Sequence, residues 1–183
     1  MSARQKGKQL TKVLDQCAGD VLRYLQRRVG PEDAADLLGD TMVVAWRRVN
    51  LLPDDDAEGA RMWIFGLARG TLLNHSRGER RRLALTEKIR TYVMSDRTAP
   101  AADEGSDVRD ALSQLNPELR EIVQLVHWEG LTLAQAAQVV GIPAPTARGR
   151  YARAKDELRI ALGVVVRTAH NTSLRGTERG RAE

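Results

Sequence analysis

Hydrophobic residues recur at helical spacing in the first half of the chain and predict two long helices. The stretch "GPEDAADLLGDTMVVAWRRV" begins with Pro31 and acidic residues, which favour a helix start. At about 100° per residue, its apolar positions share one face that we expect in the core: Ala34, Leu38, Met42, Ala45, Trp46 and Val49. The stretch "RMWIFGLARGTLLNHSRGERRR" predicts the second helix, with a core face of Ile64, Phe65, Ala68 and Leu72.

The second half of the chain carries a series of helix start and stop signals. Asn116 and Pro117 are typical of an N-cap and a first helical turn. Thr132 and Gln135 fit a capping box that begins the next helix. That helix is expected to end at Gly141, because glycine is favoured just after a helix C-terminus.

These patterns divide the chain into two helical blocks, residues 11–94 and 108–166. Between them, "SDRTAPAADEGSD" at residues 95–107 has no apolar period and is expected to be a flexible linker. The polar residues 167–183 are expected to form a disordered basic tail. The predicted fold class is all-α, with two small helical domains joined by the linker.

The composition of the chain limits the kinds of function that we expect for it. The net charge is +5, with a sequence pI near 9.8, which fits a polyanionic partner. Cys17 is the only cysteine, and the three histidines show no ligand spacing, so no metal site and no cofactor are expected. No nucleophile–base pair or phosphate loop stands out, so the chain is not expected to be an enzyme. It has no signal-peptide pattern or membrane-spanning run, so we expect a cytoplasmic protein without membrane insertion.

The stretch "TLAQAAQVVGIPAPTARGRYARAKDEL" predicts a helix-turn-helix, with a second helix from about Pro145. Small residues on the outward face of that helix, Gly149 and Ala152, would let its backbone approach a DNA groove. Cations flank this face on both sides: Arg148, Lys155 and Arg159 on one, Arg150 and Arg153 on the other. The apolar stripe is Ala147, Tyr151, Ala154, Leu158 and Ala161. A solvated basic helix without DNA contacts is the alternative.

Three stretches together resemble the extracytoplasmic-function (ECF) sigma factors of bacterial RNA polymerase. They are "EDAADLLGDTMVVAWRR", "MWIFGLARGTLLNHSRGERRR" and "LNPELREIVQLVHWEGLTLAQAAQVVGIPAPTARGRYARAKDELR", and the resemblance covers roughly residues 20–162. It implies a sigma region 2 helical bundle followed by a sigma region 4 helix-turn-helix. The chain departs from the family pattern at several positions: Gly39, Gly70, Asn74, His75, Pro145 and Gly149.

The resemblance implies partners and contact residues. The partners are core RNA polymerase, through its β′ clamp and β flap, and promoter DNA, and an anti-sigma factor is a further candidate. The implied polymerase contacts are Asp36, Leu37, Asp40 and Thr41. The implied contacts to the −10 element are Arg69, Asn74, Arg77, Arg80 and Arg81, with a base pocket in the loop of residues 50–60. The implied contacts to the −35 element are Pro143, Ala144, Thr146, Arg148, Arg150 and Arg153.

Two other function classes remain open from the sequence. A one-component transcription regulator would use the second block to bind DNA without polymerase. A helical adaptor, or an anti-sigma-like interaction protein, would show no DNA binding that depends on the cations of the second helix. Only a sigma factor requires core polymerase to select a promoter.

Overall fold

A computed structural model describes residues 3–54, 56–90 and 106–163. The described backbone is helical and contains no strand, which confirms the predicted fold class. The helices are α1 Ala3–Val29, α2 Pro31–Arg47, α3 Ala57–Arg90, α4 Ser106–Gln114, α5 Pro117–His127, α6 Leu133–Val140 and α7 Ala144–Ala161, with a 3₁₀ turn at Val49–Leu51. The predicted linker and tail lie outside the described residues, except that Ser106 and Asp107 begin α4. None of the described helices is long and apolar enough to cross a membrane.

The predicted helix boundaries of the second half are confirmed by their caps. Asn116 Oδ1 accepts a hydrogen bond from the Glu118 amide at 3.0 Å, which satisfies a free donor at the start of α5. Thr132 and Gln135 form a reciprocal capping box at the start of α6. Gly141 follows α6 in the left-handed conformation with φ 76°, where a side chain would be strained.

The core of the first half is built between α1 and α3. Tyr24 and Phe65 are fully buried and meet edge to face, with ring centroids 5.7 Å apart. Ile64 and Ala68 are also buried and Leu72 is partly buried, so the predicted core face of α3 is confirmed. Burial raises the pKa of the Cys17 thiol to about 11, so Cys17 behaves as a small core residue.

The predicted core face of α2 is confirmed except at Trp46: Ala34 and Ala45 are buried, and Leu38, Met42 and Val49 are partly buried against the same core. Leu37 and Thr41 are buried, whereas Trp46 is 48% exposed. The Thr41 hydroxyl donates to the Leu37 carbonyl at 2.7 Å, so its burial leaves no polar atom unpaired. Packing against α1 therefore adds Leu37 and Thr41 to the buried side of α2 and leaves Trp46 half exposed.

The loop between α2 and α3 is held by the N-terminal turns of α1. Lys6 donates to the Asn50 carbonyl at 2.8 Å and pairs with the Asp54 carboxylate at 3.3 Å. Gln9 donates to the Pro53 carbonyl at 3.0 Å. The sequence pattern gave no indication of these contacts, which hold residues 50–54 against α1.

The start of α3 depends on an aspartate and a glycine. Asp56 Oδ1 accepts from the Gly59 amide at 2.9 Å and caps the helix. A Cβ at Gly59 would collide with the Asp56 carboxylate, so glycine leaves space for the cap. At least two of the acidic loop residues therefore have structural partners: Lys6 for Asp54 and the start of α3 for Asp56.

Replacing Leu37 by alanine should destabilise the protein by about 2–5 kcal/mol, because it leaves a cavity between α1 and α2. Chemical denaturation monitored by circular dichroism measures this change. Val43→Ala on the exposed side of the same helix is the matched control, with an expected change within about 0.5 kcal/mol. Equal losses for the two variants would contradict the assigned rotation of α2.

Lys6→Met should loosen the loop before α3 without unfolding the helices. Losing about 1 kcal/mol of local hydrogen bonding would raise amide exchange in residues 49–54 about fivefold. Hydrogen exchange with mass spectrometry measures this rate. Lys12→Met, at an exposed position on the same helix, should leave exchange in the loop unchanged.

Candidate nucleic-acid interface

Helix α7 exposes small residues to solvent and packs on the core through two buried alanines. Ala147 and Ala154 are fully buried, and Tyr151 is partly buried against the same core. The exposed positions in its first turns include Thr146, Arg148, Gly149, Ala152 and Arg153. The predicted apolar stripe is therefore confirmed, except that Ala161 is exposed.

The arginines of α7 differ in whether a carboxylate already pairs with their guanidinium group. Arg150 pairs with Glu118 of α5 at 2.6 Å, and Arg153 pairs with Glu157 at 2.8 Å within α7. Arg148 is exposed and forms no ion pair with any described residue. A phosphate would therefore compete with a carboxylate at Arg150 and Arg153, but not at Arg148.

A cleft of about 400 Å³ lies between the start of α5 and the first turns of α7. Its lining combines polar and small side chains that could face a DNA backbone: Asn116, Glu118, Leu119, Thr146, Gly149, Arg150 and Arg153. Three predicted −35 contacts thus share one concave surface. Pro143 and Ala144, at the N-cap and first residue of α7, lie at the N-terminal end of the helix, while Arg148 lies outside the cleft lining.

Helix α3 brings four of the five predicted −10 contacts together on its exposed surface. Asn74, Arg77, Arg80 and Arg81 are all solvent-exposed. Asn74 Oδ1 accepts from Arg77 Nη1 at 3.3 Å, and Arg80 Nε donates to the Ser76 carbonyl at 3.2 Å. These side chains form a basic surface with free guanidinium donors, which suits phosphate contacts.

The fifth predicted −10 contact, Arg69, is engaged elsewhere. Its Nε and Nη2 donate to the two carboxylate oxygens of Glu121 at 2.7 and 2.9 Å. The hydrogen bond with Glu121 is the main reason that the pKa of Arg69 is raised above its ordinary value. Arg69 is thus held by α5 in this structure and is separated from the exposed cations of α3.

The exposed face of α2 is acidic and apolar. Asp36 and Asp40 are exposed, and Val43 and Trp46 are each 48% exposed. Two predicted polymerase contacts require correction, because Leu37 is 4% and Thr41 0% exposed and neither can be reached by a partner. The apolar part of this face comes instead from Trp46, which was expected in the core, and from Val43, which was not assigned to either face.

Three potential metal ligands meet where α2 and α3 pack together. Ligand atoms of Asp33, His75 and Glu79 lie within 4.8 Å of one another. Asp33 and Glu79 are exposed, and carboxylates in such positions are common without an ion. The expectation that the chain carries no metal site stays a prediction.

Models of two protein families match the chain. The model described as "Sigma-70 region 2" matches residues 13–82, which include α2 and most of the exposed surface of α3. The model described as "Sigma-70, region 4" matches residues 106–158, which include the capped helices α5 and α6 and most of α7. A one-component regulator is not favoured, because both halves match sigma-factor regions.

Two similar proteins are named as ECF RNA polymerase sigma factors. The chain is 30% identical to the ECF RNA polymerase sigma factor SigC of Mycobacterium tuberculosis over 160 residues, covering 86% of this chain and 85% of SigC. It is 29% identical to SigL of the same organism over 152 residues, covering 81% of this chain and 85% of SigL.

Two solved complexes have a similar fold. The sigma factor RpoE of Bartonella quintana, bound to the anti-sigma factor NepR, matches with a TM-score of 0.64 at 22% identity, covering 86% of this chain and 99% of RpoE. CnrH, bound to the cytosolic domain of CnrY, matches with a TM-score of 0.57 at 21% identity, covering 87% and 90%. From the two matched regions and the SigC likeness, the chain belongs to the ECF sigma factors of bacterial RNA polymerase.

Proposed function

We propose that this sigma factor binds core RNA polymerase through α2 and directs it to promoters through α3 and α7. The observation that carries the proposal is that one chain exposes an acidic–apolar helix face and a separate basic helix-turn-helix surface. A DNA-binding regulator needs only the second surface. The first surface is suited to a protein partner with cationic and apolar side chains.

The proposed polymerase contact is the outer face of α2, formed by Asp36, Asp40, Val43 and Trp46. The two carboxylates supply charge complementarity to a basic partner helix. The half-exposed valine and tryptophan supply apolar area that a partner would bury, and tryptophan is enriched at the centres of interfaces. Leu37 and Thr41 have a supporting role, because their burial fixes the rotation of the helix.

The proposed −10 contact is the exposed surface of α3 with the loop before it. Asn74 can hydrogen-bond an unpaired base, and the arginines that follow can neutralise phosphates. The loop is held in position by Lys6 and Gln9 of α1, so a base pocket there would be built on a fixed backbone. Arg69 would join this surface once it leaves Glu121.

The proposed −35 contact is the N-terminal half of α7 in a DNA major groove. Gly149 and Ala152 permit close approach of the backbone, and Arg148 is free to reach a base edge or a phosphate. Each DNA surface alone is small, so correct promoter choice depends on polymerase holding the two at a fixed separation. The isolated chain should therefore bind promoter DNA weakly.

An anti-sigma factor is a candidate regulator of the chain. Two of the structures with a similar fold, RpoE and CnrH, are described in complex with NepR and with the cytosolic domain of CnrY. A partner of this class would compete with polymerase or promoter DNA for the same surfaces.

Asp36→Arg and Asp40→Arg should each weaken binding to core polymerase at least about tenfold, because each places a like charge opposite a basic partner. Fluorescence-detected titration of labelled chain with core polymerase measures the affinity. Asp15→Arg, with the same charge change at an exposed site on α1, is the matched control and should bind normally. Undiminished binding of both α2 variants would refute this docking surface.

Arg148→Ala and Arg153→Ala, each tested in the complex with polymerase, should show whether the replaced arginine contacts a base edge or a phosphate. Loss of a base contact should cost about 1–3 kcal/mol at one base pair of the −35 element. Loss of a phosphate contact should weaken all sequences and lower the salt dependence of binding. A binding series across promoter variants and salt concentrations measures both effects, and no change in either would place α7 outside the groove.

A further inference from the structure

Asp33, His75 and Glu79 bring three ligand atoms together at the boundary between α2 and α3. The three atoms, one from each residue, all lie within 4.8 Å of one another. Asp33 lies in the first turn of α2, whereas His75 and Glu79 both belong to α3. Residues four apart are neighbours on a helix surface, so His75 and Glu79 share one side of α3. The packing of α2 on α3 supplies the third ligand.

The two carboxylates of this group have no cation beside them. Asp33 and Glu79 form no ion pair with any residue that the structure describes. Arg80, the residue after Glu79, donates instead to the Ser76 carbonyl at 3.2 Å. Ionised carboxylates this close repel each other, and a cation between them would replace the repulsion by attraction. The two side chains therefore provide a place for a positive ion.

His75 distinguishes this group from an ordinary pair of surface carboxylates. Its Nδ1 atom is buried and has no hydrogen-bond partner among the described residues. A buried polar atom without a partner is unfavourable, and an imidazole nitrogen can gain a partner by coordinating a metal ion. Imidazole suits transition metals, whereas Mg²⁺ and Ca²⁺ prefer oxygen ligands. The histidine therefore indicates the class of ion as well as the place.

From this arrangement we propose that Asp33, His75 and Glu79 bind one divalent transition-metal ion such as Zn²⁺. Histidine and carboxylate side chains are usual Zn²⁺ ligands, and water can complete a site with three protein ligands. Each ligand atom would lie about 2.0–2.2 Å from the ion, so the three atoms have to move slightly closer together. Asp33 and Glu79 are exposed, and exposed side chains change rotamer rapidly, which permits this adjustment.

The ion would join the start of α2 to α3. Gly30, the N-cap residue of α2, offers no side-chain hydrogen bond to the free amides of the first turn. Coordination of Asp33 would hold this turn from the side of α3. The two linked helices carry the proposed polymerase and −10 surfaces, but metal binding itself does not depend on that function.

The spacing of residues along the sequence gave no indication of this group. The expectation of no metal site came from the spacing of histidines and from the single cysteine. Asp33 and His75 are separated by most of α2, the following loop and half of α3. Only the packing of the two helices brings their side chains together.

The first test is calorimetric titration of the metal-free full chain, without a histidine tag, with Zn²⁺. We expect one equivalent to bind, and Asp33→Asn and Glu79→Gln each to weaken binding at least about tenfold. Both substitutions are isosteric and lie at exposed positions, so circular dichroism should show an unchanged fold. Glu32→Gln is the matched control, because it removes the same charge from the same turn of α2 and should leave binding unchanged.

Chemical unfolding with and without metal gives a second, independent measurement. An ion that binds only the folded chain shifts the folding equilibrium, so Zn²⁺ at about 100 times its Kd should favour folding about 100-fold. Mg²⁺ at the same concentration should have a much smaller effect, because imidazole is a poor ligand for it. His75→Ala, compared with its own metal-free state, should lose the response to Zn²⁺.

Three results would each overturn the proposed site. The first is absence of Zn²⁺ binding to the folded wild type. The second is an equal loss of affinity in Glu32→Gln and Asp33→Asn, which would reduce the effect to general surface charge. The third is binding that is lost in His127→Ala and kept in His75→Ala, which would place the ion at the end of α5.

Discussion

The position of the turn between α5 and α6 against α1 depends on one buried carboxylate, Glu129. A carboxylate with 4% exposure is stable only if its charge is paired, and here two arginines of α1 surround it. Because Glu129 lies in the turn between α5 and α6, this pairing fixes where α6 begins relative to α1 and α3. Ion pairs of this kind add little net stability compared with apolar contacts, but they strongly exclude other orientations that would leave a buried charge alone.

The two proposed DNA surfaces of this sigma factor are built in different ways. The surface of α7 is assembled from neighbours in the sequence: a capped α6, the left-handed Gly141 and buried alanines on α7. The surface of α3 depends on distant parts of the chain, since Lys6 of α1 positions its loop and Glu121 of α5 holds Arg69. The α3 surface is therefore the one that a change in tertiary packing can alter.

This difference explains which features could be predicted from the sequence. The caps at Asn116 and Thr132 and the left-handed glycine at Gly141 were predicted because the interacting groups lie within a few residues. The core face of α2 was predicted only in part: Leu37 and Thr41 were missed and Trp46 was misplaced. Apolar residues at Leu37, Leu38, Met42, Val43 and Trp46 surround most of the helix, so periodicity cannot choose between its faces. The choice is made by α1, which packs on the side of Leu37 and leaves Trp46 half exposed.

The burial of Leu37 and Thr41 also bears on how polymerase and DNA would bind. With Leu37 and Thr41 buried, the proposed polymerase surface of α2 consists of side chains that already face solvent, so docking there would need no rearrangement of α2. At Arg69, a DNA phosphate would have to compete with Glu121 for the Nε and Nη2 donors. Breaking that contact is unfavourable unless another interaction replaces it, because it leaves two partly buried charges unpaired. A DNA phosphate is such a replacement, so Arg69 would join the proposed −10 surface only where DNA binding compensates the loss of Glu121.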